Sequence, residues 1–175
     1  MSHPEAELIR TRRLALRAWT ETDLDDYFAL YAQWEVMRWL GPQPRRALAN
    51  RDEARARLAG RLERHATVQP PLGVWAVVPH EVARPVGTVL LLPLEDAAGL
   101  TPEIEVGWHL HPDHQGRGLI TEAARALLGI AALPRVLAVT DPANERSQAV
   151  AGRLGMADEG LTDRWYGQTT RQFAV

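Results

Sequence analysis

The sequence predicts an α/β domain built on one mixed, mostly antiparallel sheet, and three observations carry that expectation. Apolar residues alternate at period two in several short runs, the signature of half-buried strands. Other runs place apolar residues at helical spacing between those strands. A strand, helix, strand order across residues 103–140 calls for one parallel crossover inside an otherwise antiparallel arrangement. At 175 residues the chain fits a single domain, 1–175, that can bury a full core. Its 46% hydrophobic and 24% charged residues are those of a globular rather than a disordered chain.

In chain order, Thr11-Arg12-Arg13-Leu14-Ala15-Leu16-Arg17 alternates Leu14 and Leu16 against Arg13 and Arg17, the pattern of a half-buried first strand. Thr22-Asp23-Leu24-Asp25 has the form of a helix N-cap with acids in the first turn. It leads into Leu24, Tyr27, Phe28, Tyr31 and Trp34 at helical spacing, a stripe read as core packing, as is the group Trp34, Met37 and Trp39. Gly41-Pro42 ends this helical region. Residues 47–65 are rich in Arg and Ala, with Leu48, Leu58 and Leu62 as thin apolar coverage. A surface helix is expected there, its arginines partly neutralised by Asp52, Glu53 and Glu63. Residues 74–78 and 86–92 then read as two apolar strands paired antiparallel.

The most informative stretch is 103–122. Its strand places Ile104, Val106, Trp108 and Leu110 on one face and Glu103, Glu105, Gly107, His109 and His111 on the other. One face suits a core, and the other is available for chemistry. The chain then narrows to Gln115-Gly116-Arg117-Gly118 and turns helical at Thr121-Glu122-Ala123-Ala124. A helix start behind a glycine-bearing turn exposes backbone N–H groups at the positive end of the helix dipole, and so can hold an anion. A dinucleotide fingerprint fits less well, because its third glycine would fall at Thr121 and the loop comes late in the chain. Beyond it the pattern predicts a helix over 120–132, a buried strand over 134–140 and a turn at Asp141-Pro142-Ala143-Asn144. A short helix over 147–154, capped by Asn144 or a neighbour and stopped at Gly155, follows. Strand-like pieces around Gly160 and Tyr166-Gly167 suggest a terminal hairpin.

Composition excludes several function classes. A net charge of -2 offers no basic footprint for nucleic acid and no attraction to a membrane surface, so an anion must be bound locally. The chain has no cysteine, which removes disulfides, thiolate metal sites and an acyl-cysteine intermediate. Met1-Ser2-His3-Pro4-Glu5 lacks the basic and apolar regions of a leader, and no apolar run approaches the roughly 20 residues of a membrane span, so a cytoplasmic protein is expected. His109, His111, Asp113 and His114 raise the alternative of a metal site, but the pattern breaks at Pro112, and solvated loop histidines are the preferred reading.

Three separated motifs together resemble the GNAT N-acetyltransferase superfamily, and within it the RimJ/RimL-like branch. They are Thr11-Arg12-Arg13-Leu14-Ala15-Leu16-Arg17; then Glu105-Val106-Gly107-Trp108 with Pro112, Gln115-Gly116-Arg117-Gly118 and Thr121-Glu122-Ala123-Ala124; and last Val139-Thr140-Asp141-Pro142-Ala143-Asn144-Glu145-Arg146-Ser147 with Leu154-Gly155-Met156. The resemblance implies a GNAT fold: a sheet of about seven strands, its central parallel pair splayed to admit acetyl-CoA, flanked by about four helices. It implies acetyl-CoA as acetyl donor, with the pyrophosphate held by Gln115, Gly116, Arg117, Gly118, Leu119, Ile120 and Thr121. Trp108, His109 and Leu110 would line the pantetheine arm, and a backbone N–H of that segment would polarise the acetyl carbonyl. Asn144 would contact the cofactor, and Ser147 would serve the departing thiolate; both also suit a plain helix cap. Two departures stand out. The last position of the family's phosphate loop is Ile120 where a small residue is usual, and residues 131–135 are about a turn shorter.

The acceptor amine must lose a proton. A lysine near pKa 10.4 needs on the order of 4 kcal/mol for this at neutral pH and an α-amine near 7.7 to 8.0 needs about 1, so a modest base suffices for an α-amine. Glu105, on the polar strand face just before the cofactor segment, is the expected base; the alternative is an exposed strand carboxylate. Tyr166 is a second possible acid, and relatives use the helical region around residues 34–65 to line the acceptor site. The expected activity is direct acetyl transfer from acetyl-CoA to a primary amine of a small molecule or a protein or peptide N-terminus, without metal, nucleic acid or membrane, and with a homodimer left open. A non-catalytic acyl-CoA sensor and a histidine metal module are the other readings.

Overall fold

The computed structural model describes residues 7–175, so the leader reading of the first five residues lies outside the described part. Eight strands form one sheet in the order β1-β2-β3-β4-β5-β6-β8-β7. They are β1 (Glu7–Arg10), β2 (Leu14–Ala18), β3 (Gly73–Pro79), β4 (Gly87–Asp96), β5 (Gly99–Leu110), β6 (Leu137–Thr140), β7 (Ala157–Thr162) and β8 (Thr170–Ala174). Every neighbouring pair is antiparallel except β5 and β6. Five α-helices accompany the sheet: α1 (Leu24–Tyr31), the single turn α2 (Trp34–Met37), α3 (Arg51–Ala66), α4 (Leu119–Ala131) and α5 (Glu145–Arg153).

The expected first strand is divided. Thr11, Arg12 and Arg13 form a turn between β1 and β2, closed by the Thr11 N–H donating to Leu14 O at 2.8 Å, and only Leu14 onward is strand. The Glu7–Arg10 edge strand does not show period-two alternation because its apolar residues, Leu8 and Ile9, are adjacent; both are half-buried against the core, and the register shifts between Glu7 and Ile9. The Arg-rich helix starts at Arg51 rather than near residue 47, because Asn50 caps it by accepting the Glu53 N–H at 2.9 Å. Trp34 departs from the expected core stripe: α1 stops at Tyr31, the chain turns, and Trp34 is 50% exposed.

The alternation expected along β5 holds from Ile104 to Leu110, with no bulge at Gly107; the register shift against β4 falls earlier, between Leu100 and Ile104. Register pairs Thr88 with His109, Leu90 with Gly107 and Leu92 with Glu105, so these side chains share one face with Val74 and Ala76 of β3. That face packs against Tyr27, Tyr31 and Leu58 of α1 and α3. The other face carries Trp75, Val77, Val89, Leu91 and Val106 against Leu119, Ile120, Ala123 and Leu127 of α4. Both faces are therefore covered, and chemistry is confined to the place where the covering helices and the strands part. A third, small cluster of Leu94, Leu137, Trp165 and Ala174 secures the terminal hairpin to the centre of the sheet. Among the described residues no helix is long and apolar enough to cross a membrane.

Candidate active site

The parallel pair is hardly a pair at all. β5 and β6 are in register only at Glu105 and Leu137; beyond that point β6 continues on β8 while β5 continues on β4 as far as Leu110. The His111 N–H donates to Val86 O at 2.9 Å, so His109, two residues back, also turns its backbone to β4. Trp108 and Leu110 consequently aim their backbone groups at the edge that β6 has left. Gln115 Nε2 donates to Leu110 O at 3.2 Å, and the remaining groups face a cleft of about 1380 Å³. This cleft runs from Glu105, past Trp108 and Leu110, to the N-terminus of α4. Trp108 Nε1 and Thr140 Oγ1, both buried in residues that line it, have no hydrogen-bond partner among the described residues.

At the open end Gly116 and Gly118 adopt φ of 75° and 72°, the left-handed region where a side chain is strained, and this turns the chain into α4. The first intrahelical bond is Glu122 N–H to Gly118 O at 3.1 Å, so the N–H groups of Leu119, Ile120 and Thr121 precede the ladder at the positive end of the helix dipole. Ile120 turns its side chain away: it is 5% exposed, within the core under α4, and its bulk does not enter the cradle.

The turn is held from the far end of the sequence. Thr11 Oγ1 donates to Glu122 Oε1 at 2.6 Å, Arg13 Nε to Glu122 Oε2 at 2.6 Å, and an Arg13 terminal nitrogen to Arg117 O at 2.7 Å. Burial pushes the Glu122 carboxyl up, but the hydrogen bonds from Thr11 and Arg13 outweigh it and hold the carboxyl below the usual range. The half-exposed Arg117 guanidinium pairs with Glu81, and Arg117 is not among the residues that line the cleft. Arg146 and Arg153 of α5 do line the cleft: Arg146 donates to Gln115 Oε1 at 2.9 Å, and Arg153 Nε to Thr121 Oγ1 at 3.3 Å. Their spacing of seven on one helix was the available signal.

At the closed end Tyr166 Oη donates to Glu105 Oε2 at 2.5 Å, and the Val139 N–H donates to the same carboxylate. Burial drives the Glu105 carboxyl up to about 7, against the pull of the Tyr166 hydrogen bond, the Arg64 charge and the Val139 N–H. The Tyr166 hydroxyl is itself pushed well above its ordinary range, by burial first and then by the Glu105 charge. Tyr166 sits at φ 57°, an unusual conformation for a bulky residue, followed by Gly167 at φ 64°. Asn144 accepts the Ser147 N–H at 3.2 Å and caps α5, and both residues line the cleft. Among the described residues the Ser147 hydroxyl has no partner. His109 borders the cleft on the side of α1 and α3, with Nδ1 2.9 Å from Tyr31 Oη, which in turn lies 2.8 Å from Thr88 Oγ1. Burial, then Arg61 and Arg57, hold the imidazole well below its usual pKa, so it is neutral.

Among the described residues no three His, Asp or Glu side chains come close enough to hold a metal ion; His111 and Asp113 form a pair 3.7 Å apart, while His109 is engaged by Tyr31.

A mixed sheet opened at its one parallel pair, with free N–H groups of a helix start at the open end and a buried carboxylate at the closed end, defines an acetyltransferase of the GNAT type. The acetyltransferase (GNAT) domain model matches residues 13–157, and the chain belongs to this family. An acetyltransferase from Agrobacterium tumefaciens superposes with a TM-score of 0.71 at 25% identity, covering 100% of this chain and 95% of that one. The ribosomal α-N-protein acetyltransferase RimL in complex with coenzyme A superposes at 0.75 and 19% identity, with 97% of each chain covered. The microcin C7 self-immunity acetyltransferase MccE, in complex with acetyl-CoA and AMP, gives 0.74 at 15% identity, covering 94% and 93%.

Proposed function

We propose that the chain, as one domain over residues 1–175, transfers an acetyl group from acetyl-CoA directly to a primary amine within a ternary complex. The observation that carries this reading is the continuous cleft between β5 and β6, with Glu105 at one end and the α4 N-terminus at the other. Acetyl-CoA fits the residues present. The N–H groups of Leu119, Ile120 and Thr121, the turn Gln115, Gly116, Arg117 and Gly118, and the guanidiniums of Arg146 and Arg153 suit a pyrophosphate. The outward backbone of Trp108 and Leu110, with the unpartnered Trp108 Nε1 and Thr140 Oγ1, suits the amides of the pantetheine arm.

In the proposed reaction the amine nitrogen attacks the acetyl carbonyl carbon and the carbon–sulfur bond breaks. Glu105, with a pKa near neutrality, accepts the amine proton directly or through one water. A backbone N–H at Trp108 or Leu110 stabilises the developing oxyanion, and the free Ser147 hydroxyl hydrogen-bonds the departing thiolate. Tyr166 orients Glu105 and keeps its carboxylate form accessible; with its own pKa raised it is a poor acid. Purified protein incubated with acetyl-CoA and a panel of N-terminal peptides, amino acids and polyamines should release CoA and add the mass of one acetyl group to an acceptor. Silence across the panel would reject the reading and favour a sensor.

Two further outcomes are expected. A general base is active when deprotonated, so kcat/KM should rise with pH through about 7, the Glu105 value. In Tyr166→Phe the hydrogen bond that favours the charged form is lost, and this acid limb should move to higher pH; an unmoved limb would separate Tyr166 from Glu105 in solution. Gly118→Val forces a β-branched residue into left-handed backbone at the cradle, and the KM for acetyl-CoA should rise on the order of tenfold, the equivalent of 1–2 kcal/mol of strain. An unchanged KM would remove the turn from the cofactor site.

A further inference from the structure

The acceptor side of the cleft carries two arginines that form no ion pair among the described residues. Arg57 and Arg61 lie one turn apart on α3, and both line the cleft. Their guanidinium carbons stand 5.6 and 5.5 Å from the centre of the Tyr31 ring, so two like charges face one aromatic surface. Arg61 Nε donates to Tyr27 Oη at 3.2 Å, and Arg57 to Met37 Sδ at 3.6 Å. Among the described residues neither has a carboxylate within 4.0 Å. Three other arginines of this region are paired, Arg46 with Glu53, Arg51 with Asp25 and Arg55 with Asp52, while Arg64, like the inward pair, forms no ion pair among the described residues. Arg45, which also lines the cleft, is held by Asp141 at 2.8 Å. The partial neutralisation expected from acids of the helix thus reaches Arg46 and Arg55 but not the two arginines that turn inward.

Holding two half-buried cations side by side without counter-charge is costly, and the cost is recovered when an anion enters. The neighbouring groups cannot supply one. His109 is neutral, the Tyr31 hydroxyl is engaged by Thr88 and His109, and Glu35, at the rim, lies beyond ion-pair distance. The position relative to the reaction centre is also informative. Arg64, whose charge acts on Glu105, is on the same face of α3, so Arg61 and Arg57 follow it at roughly 5 and 10 Å along the helix. An acceptor with its amine at Glu105 would lay its next several ångströms against these two guanidiniums.

We infer that Arg57 and Arg61 form an anion subsite of the acceptor pocket, and that the amine acceptor bears a carboxylate within about 10 Å of the nitrogen, the span of two helical turns. The inference rests on the acetyltransferase reading above. A planar carboxylate suits the fork of a guanidinium and can bridge the pair, which a neutral acceptor could not do.

The test compares acceptors matched in all but charge: amines and short peptides with a free carboxylate, and the same molecules with that group amidated. With the wild-type protein, kcat/KM should favour the carboxylates on the order of tenfold to a hundredfold, the worth of a charge-assisted hydrogen bond. Arg57→Gln and the milder Arg61→Lys should each erode that preference through KM of the acceptor, leave the KM for acetyl-CoA unchanged, and so report a folded protein. Arg55→Gln, on the solvent side of α3, should retain it. Equal use of both series by the wild type, or equal loss on both series in the variants, would overturn the subsite while leaving acetyl transfer intact. Absence of turnover with every acceptor would instead overturn the acetyltransferase reading, and the subsite with it.

Discussion

Replacing Glu105 with Gln should lower kcat by roughly 10²- to 10⁴-fold, the usual contribution of a general base, with little change in the KM for acetyl-CoA. The substitution preserves shape and removes only the ability to accept a proton. Glu105 lies away from the glycine turn before α4, the proposed pyrophosphate site, along the same cleft. Its effect on stability provides the control. The folded-state pKa is raised from 4.5 to about 7, so ionisation of Glu105 opposes folding as pH rises through that window. A glutamine carries no such charge, and the variant should therefore melt no lower than the wild type at pH 8. Lost turnover with an undiminished melting temperature would identify a chemical defect. Unchanged turnover would remove Glu105 from the mechanism.

Trp165→Ala is expected to have the largest effect on stability. Trp165 is fully buried against Leu94, Leu137 and Ala174, its Nε1 donates to Gln172 Oε1 at 2.6 Å, and the Arg164 guanidinium lies 4.2 Å from its ring centre. Truncating so large a buried side chain costs about 3–5 kcal/mol, or roughly 10 °C in melting temperature for a chain of this size. The consequence extends to catalysis, because Tyr166 follows directly and bonds Glu105 from that anchored position. Thermal unfolding should show the drop, and kcat of the folded variant at low temperature should fall with it. A melting temperature within about 2 °C of the wild type would show that the hairpin is held by other contacts.

The central stretch was legible because two physical periods meet in it. Alternation along β5 fixed the face of Glu105, and the change to helical spacing after Gly118 fixed the start of α4. What could not be read was pairing across long separation. Thr11 and Arg13 read as strand residues, yet they are the donors that hold Glu122 and so the cradle, more than 100 positions away. Arg117 reads as a phosphate ligand by its place in the motif, which does not disclose its ion pair with Glu81. Arg57 and Arg61 are not legible in the sequence because a helix with many arginines does not disclose which of them face inward. That depends on which side of α3 packs on Tyr27 and Tyr31, a tertiary fact. Tyr166 was seen only as a secondary option, since its role comes from a hairpin end brought to β5 by the antiparallel pairing of β6 with β8.

The claim that both substrates meet in the cleft between β5 and β6 is tested most directly by initial rates of CoA release with acetyl-CoA and the amine acceptor varied together. Direct transfer predicts double-reciprocal lines that intersect, because both reactants would have to be bound before the carbon–sulfur bond breaks. Parallel lines, the mark of an acetylated enzyme intermediate, would contradict it.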